Sequence, residues 1–223
     1  MKLGVIAALQ TELKPTLVAL PHQSRSFEHL RFHETPSLVF VVGGIGAKAA
    51  AAASLVMVDR FKPDALVSAG FCGALNDQLE TGDLVLGGTK KRPPDEKLLD
   101  LARAAAPKAR TGRVRTVEKV VVNAEDKKTL GEESGALIVD MEAEAVGLAA
   151  RSRDVGFLSV KVVIDTPAEP LASTYAGCWT VLRDVLIRPG TITQMIYDSK
   201  RAKIAADRLK DFFVALKDKL PAS

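Results

Sequence analysis

Residues 38–61 of this chain read LVFVVGGIGAKAAAAASLVMVDRF. The apolar, β-branched run from Leu38 to Val42 predicts a strand, and the alanine-rich run from Ala47 to Phe61 predicts a helix. Gly43-Gly44-Ile45-Gly46 lies between them, where glycine lets the backbone turn closely into a helix N-terminus. A buried strand that leads directly into a helix is the repeating unit of an α/β fold, and the rest of the chain follows the same pattern.

Apolar stretches of strand length recur along the chain and alternate with helical ones. Strands are predicted at residues 2–8, 27–32, 38–42, 65–69, 83–86, 117–122, 136–139 and 157–164, and helices at 10–20, 47–61 and 98–106. Residues 27–32 and 38–42 are predicted to form a hairpin. Strands separated by helices predict a mixed, mostly parallel central sheet with helices on both faces. Without a composition break, linker or repeat, residues 1–223 are expected to form one domain.

The composition argues against several classes of protein. Hydrophobic residues make up 47% of the chain and charged residues 26%, with no run of eighteen apolar residues and no leader, so a soluble, cytoplasmic protein is expected. The net charge of +4 is interspersed with acids and lacks neighbouring aromatic residues, which favours solvated faces over nucleic-acid binding. Cys72 and Cys178 lie far apart in sequence, which makes a disulfide framework improbable.

Neither a metal nor a cofactor is expected. His29 and His33 would diverge on a hairpin, and no acid cluster completes a metal site. Cys72 has no histidine near it in sequence and is interpreted as a buried structural thiol. The spacing Gly44-x-Gly46-x-x-Ala49 fits a dinucleotide fingerprint, but it follows a late strand and lacks the acid expected about 20 residues on. A nicotinamide-dependent oxidoreductase is an alternative that rests on this motif alone.

Carboxylates stand at the ends of predicted buried elements. Glu142 lies in Val139-Asp140-Met141-Glu142-Ala143-Glu144-Ala145 at the head of an alanine-rich helix, and Asp165 ends a hydrophobic strand. One such carboxylate can bind sugar hydroxyls, and a second can protonate a leaving group. Each also has a structural explanation, since acids stabilise the first turn of a helix and Asp165 precedes Thr-Pro in a turn. Glu12 could likewise be a solvated acid at a helix start.

Taken in order, these segments resemble the nucleoside phosphorylase and nucleosidase superfamily, in particular the methylthioadenosine/S-adenosylhomocysteine nucleosidases. The matching segments cover nearly the whole chain in the family's order. They are Gly4 to Leu13, Gly44-Ile45-Gly46, Ala69 to Leu75, Gly82-Asp83-Leu84-Val85, Val139 to Ala143 and Lys161 to Asp165.

The resemblance implies a purine nucleoside as the small-molecule partner and an N-glycosidase activity. Glu142 would bind the ribose 2′- and 3′-hydroxyls, and Met141 would pack on the sugar. Asp165 would protonate the purine N7 as the bond to the sugar breaks. Glu12 would direct and deprotonate a water against an oxocarbenium-like sugar. The other substrate-binding residues that the resemblance implies are Gly44, Gly70, Phe71 and Lys161.

Three positions depart from the family's pattern. Phe71 stands in place of a small hydroxyl residue, Ile164 in place of the serine before the acid, and Lys161 in place of an arginine. The missing serine removes one hydrogen bond that would orient Asp165. These losses motivate an alternative outside the enzyme class, a nucleoside-binding protein without catalysis.

The same positions bear on the choice between water and phosphate as nucleophile. Phosphorylases of this superfamily surround the anion with arginines and a hydroxyl. Here Glu12 would repel phosphate, Ser68 replaces an arginine and Phe71 removes the hydroxyl, so hydrolysis is predicted. Phosphorolysis, with Lys161 as an anion ligand, stays open as an alternative.

Two further features suggest a branch of the family. The loop from Gly87 to Lys97 is short, which predicts a wide, open 5′ pocket. Together with the Asp-Met-Glu-Ala-Glu signature at residues 140–144 and the tail Ile187-Arg188-Pro189-Gly190, it resembles the hopanoid-associated branch, whose implied substrate is adenosylhopane. A methylthioadenosine/S-adenosylhomocysteine nucleosidase is the alternative. A homodimer is expected. The basic, amphipathic C-terminal helix is predicted to pack on the sheet, with peripheral membrane contact as an alternative.

Overall fold

The computed structural model describes residues 1–168 and 200–221. The strands are β1 (Leu3–Ala7), β2 (Gln23–Phe27), β3 (Leu30–Glu34), β4 (Leu38–Val42), β5 (Ala65–Ala74), β6 (Leu84–Gly87), β7 (Arg110–Thr111), β8 (Val114–Thr116), β9 (Ile138–Asp140) and β10 (Gly156–Asp165). The helices of the described ranges are α1 (Gln10–Ala19), α2 (Ala47–Phe61), α3 (Glu96–Ala105), α4 (Ala124–Ser134), α5 (Ala143–Ser152) and α6 (Lys200–Lys217). Cys178 and residues 187–190 lie outside the described ranges.

The sheet has a parallel centre and antiparallel flanks. Its order is β2-β3-β4-β1-β5-β10-β6-β7, and β9 pairs with the end of β5 and with β8. Strands β4, β1, β5 and β10 are mutually parallel, whereas β3 and β6 join them antiparallel, and β2 pairs antiparallel with β3. The predicted mixed sheet with a mostly parallel centre is confirmed. Parallel central strands bring their carboxyl ends to one edge, which is where α/β proteins bind ligands.

Helices cover both faces of this sheet, as predicted. One face is packed by apolar residues of α1, α3 and α6, and the other by those of α2 and α5. Helix α2 lies so close to β1 that a Cβ on Gly4 would come within 2.6 Å of Met57 Cγ. This two-sided coverage explains why the central strands are largely apolar, since neither face of the parallel strands meets water.

One predicted strand is wrong, and another has different bounds. The predicted hairpin with residues 38–42 is confirmed, because β3 pairs antiparallel with β4. Residues 27–32 were expected to be one strand, but Phe27 ends β2 and a turn through Glu28, whose φ is 55°, leads into β3. Residues 117–122 were expected to be a strand because they are valine-rich, but they form a loop after β8. In that loop Val117 donates a backbone hydrogen bond to the Asp140 carbonyl. Residues 118–122 pair with no strand of the described ranges.

Helix α4 was not predicted from the sequence. Asn123 caps it by accepting a hydrogen bond from the Glu125 N–H, and Glu125 and Asp126 lie in its first turn. These are ordinary start signals. The helix has no buried apolar stripe, however, and its one buried residue is Lys127.

The C-terminal helix packs as predicted. The apolar stripe of α6 is buried, and Phe213 contacts Phe40 of the central sheet with ring centroids 5.4 Å apart. None of the helices in the described ranges combines the length and the hydropathy that crossing a membrane requires.

Candidate active site

A pocket opens at the carboxyl edge of β1, β5 and β10, with an empty volume of about 660 Å³ that is partly open to solvent. Most of its wall is apolar, and four carboxylic acids interrupt that wall. The acids are Glu12, Asp140, Glu142 and Asp165. The remaining lining residues are Ala8, Leu9, Ile45, Phe71, Cys72, Gly73, Val117, Val120, Val121, Val139, Met141 and Ile164.

Glu12 is held by backbone donors at the end of the pocket nearest α1. Its Oε2 accepts hydrogen bonds from the N–H groups of Ala8 and Leu9, both at 2.9 Å, and its Oε1 accepts one from Phe71 at 2.8 Å. The side chain is buried, so it is not a solvated acid. Burial raises its pKa, while the Lys161 charge and the three N–H groups act in the opposite direction. Three of roughly four acceptor sites on the carboxylate are filled.

Gly70 explains how Glu12 fits against β5. Its φ of 142° and the missing side chain let the carboxylate approach, since a Cβ there would lie 2.5 Å from Glu12 Oε1. Gly70 was predicted to bind the substrate. The structure places it beneath Glu12 instead, among residues that do not line the pocket.

Glu142 stands at the N-terminus of α5 and meets the glycine turn that precedes α2. The Gly46 N–H donates a 2.7 Å hydrogen bond to Glu142 Oε1. Gly44, at φ 101°, and Gly46, at φ 91°, shape this turn, and Gly44 does not line the pocket. Burial raises the pKa of Glu142 to about 7, with Lys161 opposing that shift and Asp140 adding to it. The glycine turn therefore holds a protein carboxylate at the site.

A buried ion pair lies behind Glu12 and Glu142. Lys161 Nζ is 2.8 Å from Asp140 Oδ2, and both side chains are almost wholly inaccessible. Asp140 also accepts hydrogen bonds from the Thr116 hydroxyl at 2.7 Å and from the Ala143 N–H at 2.8 Å. Burial by itself lowers the pKa of Lys161, but the charges of Asp140 and Glu142 raise it above its ordinary value. The charged form of this lysine is therefore favoured.

A second buried pair joins α4 to the end of β10. Lys127 Nζ donates a hydrogen bond to Asp165 Oδ2, and the Lys127 side chain has no exposed surface. Asp165 lines the pocket and Lys127 does not, so the lysine reaches the carboxyl from behind the wall. Neither Lys127 nor Asp140 was identified from the sequence. The available signal was indirect, because a buried lysine such as Lys161 requires a carboxylate partner.

The pocket brings together five of the eight predicted site residues: Glu12, Phe71, Met141, Glu142 and Asp165. Lys161 lies just below it, bound to Asp140. Cys72 is buried there too, and burial raises the pKa of its thiol well above the ordinary value, which disfavours the nucleophilic thiolate. Within the described ranges no three His, Cys, Asp or Glu side chains are grouped to hold a metal ion.

Solved structures share this architecture. The fold matches a 5′-methylthioadenosine/S-adenosylhomocysteine nucleosidase from Colwellia psychrerythraea 34H, in complex with adenine, with a TM-score of 0.78, 21% identity and coverage of 99% of this chain and 96% of that one. Futalosine hydrolase of Helicobacter pylori strain 26695 matches with a TM-score of 0.76 at 17% identity, over 99% of this chain and 98% of that one. This chain therefore has the same fold as these two proteins.

Sequence comparison shows the family to which the chain belongs. The model of the phosphorylase superfamily matches residues 2–175, and the chain belongs to that superfamily. Among its relatives is the 5′-methylthioadenosine/S-adenosylhomocysteine nucleosidase of Staphylococcus aureus strain JH9, 23% identical over 195 residues, which cover 73% of this chain and 86% of the relative.

Proposed function

We propose that this protein hydrolyses the N-glycosidic bond of a purine nucleoside and releases adenine from a 5′-substituted adenosine. The observation that carries the proposal is the set of three carboxyl groups, those of Glu12, Glu142 and Asp165, around one largely apolar pocket. An apolar wall suits a purine ring, and carboxylates suit a sugar that becomes cationic as its bond to the base breaks. The named activities of the relatives agree with this chemistry.

Each carboxyl group has a role that its surroundings support. Glu142 accepts one backbone hydrogen bond through Oε1 and would accept those of the ribose diol through its remaining sites. Glu12 is fixed by three N–H groups and has about one acceptor site left, which suits a single water molecule. Asp165, at the end of β10, would protonate the departing base.

Hydrolysis is favoured over phosphorolysis by the charge of the wall. The described lining residues include four acids and neither arginine nor lysine. The two lysines nearest the pocket, Lys127 and Lys161, are each paired with an aspartate. Ser68, which stands where a phosphorylase has an arginine, is buried within the sheet. A phosphate dianion would therefore face uncompensated negative charge, whereas water would not.

The 5′ group is proposed to be apolar and large, as in adenosylhopane. The valines at 117, 120 and 121 line the pocket and are only partly buried, so they offer apolar surface to a substituent. The loop from Gly87 to Lys97, expected to leave the 5′ end open, contributes no residue to the described wall. Methylthioadenosine or S-adenosylhomocysteine is the alternative substrate, favoured by the names of the relatives. Assembly as a homodimer in the cytoplasm remains a prediction.

The test is incubation of the protein with adenosines bearing 5′-hydroxyl, methylthio, homocysteinyl and long hydrocarbon groups, each with and without phosphate. Chromatography then separates adenine, free sugar and sugar phosphate. We expect adenine and free sugar in equal amounts, at a rate that phosphate leaves unchanged. Binding of adenosine without release of adenine would instead identify a non-catalytic binding protein. Faster cleavage of methylthioadenosine than of the long-chain adenosine would reject the hopanoid assignment.

A further inference from the structure

Lys127 is an unusual residue for the helix that carries it. The other residues of α4 are exposed or partly exposed, and the single buried side chain is this lysine, which has no accessible surface. Removing an ammonium group from water costs several kcal/mol unless it is paired and hydrogen-bonded. A buried lysine does not by itself stabilise a polar surface helix. The Lys127 ammonium group is instead hydrogen-bonded to the Asp165 carboxyl.

The neighbouring strand leaves room for this contact. Gly73 of β5 is the register partner of Asp165 in β10. A Cβ on Gly73 would lie 3.0 Å from Asp165 Oδ1 and 3.4 Å from Lys127 Nζ. Ile164, which precedes the acid, is a buried aliphatic residue and cannot donate a hydrogen bond to it. The Lys127 ammonium, which comes from another element, is therefore one of the groups that hold the Asp165 carboxyl in place.

We propose that Lys127 is a positioning residue of the reaction, which fixes the Asp165 carboxyl and supplies through it the proton that the departing purine takes up. This inference rests on the proposed function. Lys127 Nζ donates a hydrogen bond to Asp165 Oδ2, so the pair can deliver a proton to the base as a unit. Lysine can give up its proton in a buried site, which arginine does not.

The step balances without any further reactant. The bond between C1′ of the sugar and N9 of the purine breaks, and its electron pair leaves with the base. Asp165 passes a proton to the purine as Lys127 passes one to Asp165. The oxygen of water bonds to C1′, and Glu12 receives the proton that the water loses. Proton exchange with solvent afterwards returns Glu12 to its carboxylate and Lys127 to its ammonium form.

The chain offers a matched pair of variants for the test. Lys127→Met removes the buried ammonium, and Lys128→Met removes its neighbour on the same helix, which forms an exposed ion pair with Asp77. Each variant is assayed on the adenosine that the native enzyme cleaves fastest and on p-nitrophenyl β-D-ribofuranoside, whose leaving group departs without protonation. For Lys127→Met we expect kcat to fall about 100-fold on the adenosine and less than about threefold on the p-nitrophenyl riboside. Lys128→Met should match the native enzyme on both.

Equal losses on the two substrates would overturn the proposal, because damage to the fold or to the sugar site affects both. Unchanged cleavage of the adenosine by Lys127→Met would overturn it as well. If Lys127→Met fails to fold, the double variant Lys127→Met/Asp165→Asn removes both buried charges. Its kcat on the adenosine should then equal that of Asp165→Asn alone, since the lysine acts through the aspartate. A further tenfold loss would contradict the proposal.

Different results distinguish failure of the proposed function from failure of the role of Lys127. If the native protein releases no base from any adenosine of the panel, the proposed function falls, and the role of Lys127 falls with it. If the native protein releases adenine and Lys127→Met does too at the native rate, only the role of Lys127 is rejected.

Discussion

Two buried lysine–aspartate pairs support the same pocket, and they are built differently. The Asp140 carboxylate is bound by Lys161, by the Thr116 hydroxyl and by the Ala143 N–H, so it ties β8, α5 and β10 together. The Asp165 carboxyl ends a strand at the pocket wall and takes its ammonium partner from α4. The Lys161–Asp140 pair is suited to stabilising the fold, and the Lys127–Asp165 pair to catalysis. Breaking each pair should therefore damage a different property.

The largest effect is expected from Asp165→Asn. The amide keeps the shape of the side chain but cannot give a carboxylic proton to the base, so kcat for adenine release should fall by about 1000-fold. Steady-state assays measure that loss, and equilibrium binding of the nucleoside should survive it. Turnover within about tenfold of the native rate would remove Asp165 from the mechanism and make its pair with Lys127 a structural one.

Asp140→Asn should damage stability before catalysis. The substitution leaves the buried Lys161 ammonium without its counter-charge, and breaking such a pair costs about 3 kcal/mol or more of unfolding free energy. Urea denaturation measures the cost. Asp77→Asn is the control, since it breaks an exposed pair with Lys128 and should change stability by less than about 1 kcal/mol. A variant at position 140 as stable as the native protein would contradict the architectural role.

Glu12→Gln tests the acid at the end of the pocket nearest α1, on whose pKa the Lys161 charge acts. The amide should keep nucleoside binding while kcat falls about 100-fold, because only the base that takes the proton of water is lost. Single-turnover kinetics with bound nucleoside separate these effects. Retained turnover would show that Glu12 is a structural acid, held by Ala8, Leu9 and Phe71 for the sake of the fold alone.

Glu142→Gln should have a smaller effect, spread over affinity and rate. The amide still hydrogen-bonds the ribose diol but lacks the charge that strengthens those bonds, so kcat/KM should fall about tenfold. The control is Glu144→Gln, which alters an acid two residues away that pairs with Lys91 at the surface. Equal cleavage of ribosides and 2′-deoxyribosides by the native enzyme would argue against the role of Glu142.

The pH dependence of riboside cleavage also tests the role of Glu142. Because the pKa of Glu142 is raised to about 7, cleavage of ribosides should increase as pH rises through about 7, and Glu142→Gln should lack that increase. The stability effect has the opposite sign. A carboxyl whose pKa rises on folding contributes stability below its ordinary value of 4.5, and that contribution is lost as pH rises through about 7. Urea denaturation of native and variant protein at pH 5 and pH 8 measures it.

The fold was accessible from the sequence because its central strands are largely apolar and the helices α2 and α6 each bury an apolar face. The bounds of α2 were predicted as the structure has them. Residues 117–122 were misassigned because valine favours strands wherever a partner strand exists, and these residues have instead become part of the pocket wall. Helix α4 escaped prediction because its one buried residue is charged.

The candidate site was only partly accessible, for a related reason. Acids at strand ends can be recognised locally, which is how Glu142 and Asp165 were found. Asp140 also ends a strand, but its pairing with Lys161, 21 residues away, is set by tertiary packing. The same holds for the pairing of Lys127 with Asp165, 38 residues away. Gly44 and Gly70 were expected to contact the substrate; neither lines the pocket, and Gly70 leaves room for the Glu12 carboxylate.

Attack of water on the sugar in this pocket is tested most directly by isotope labelling. The native enzyme cleaves a 5′-substituted adenosine in ¹⁸O-labelled water containing unlabelled phosphate, and the sugar product is examined by mass spectrometry. We expect free sugar that carries one ¹⁸O atom at C1′, formed in equal amount to adenine at a rate independent of phosphate. An unlabelled 5-substituted ribose 1-phosphate as the product would show that phosphate, and not water, is the nucleophile.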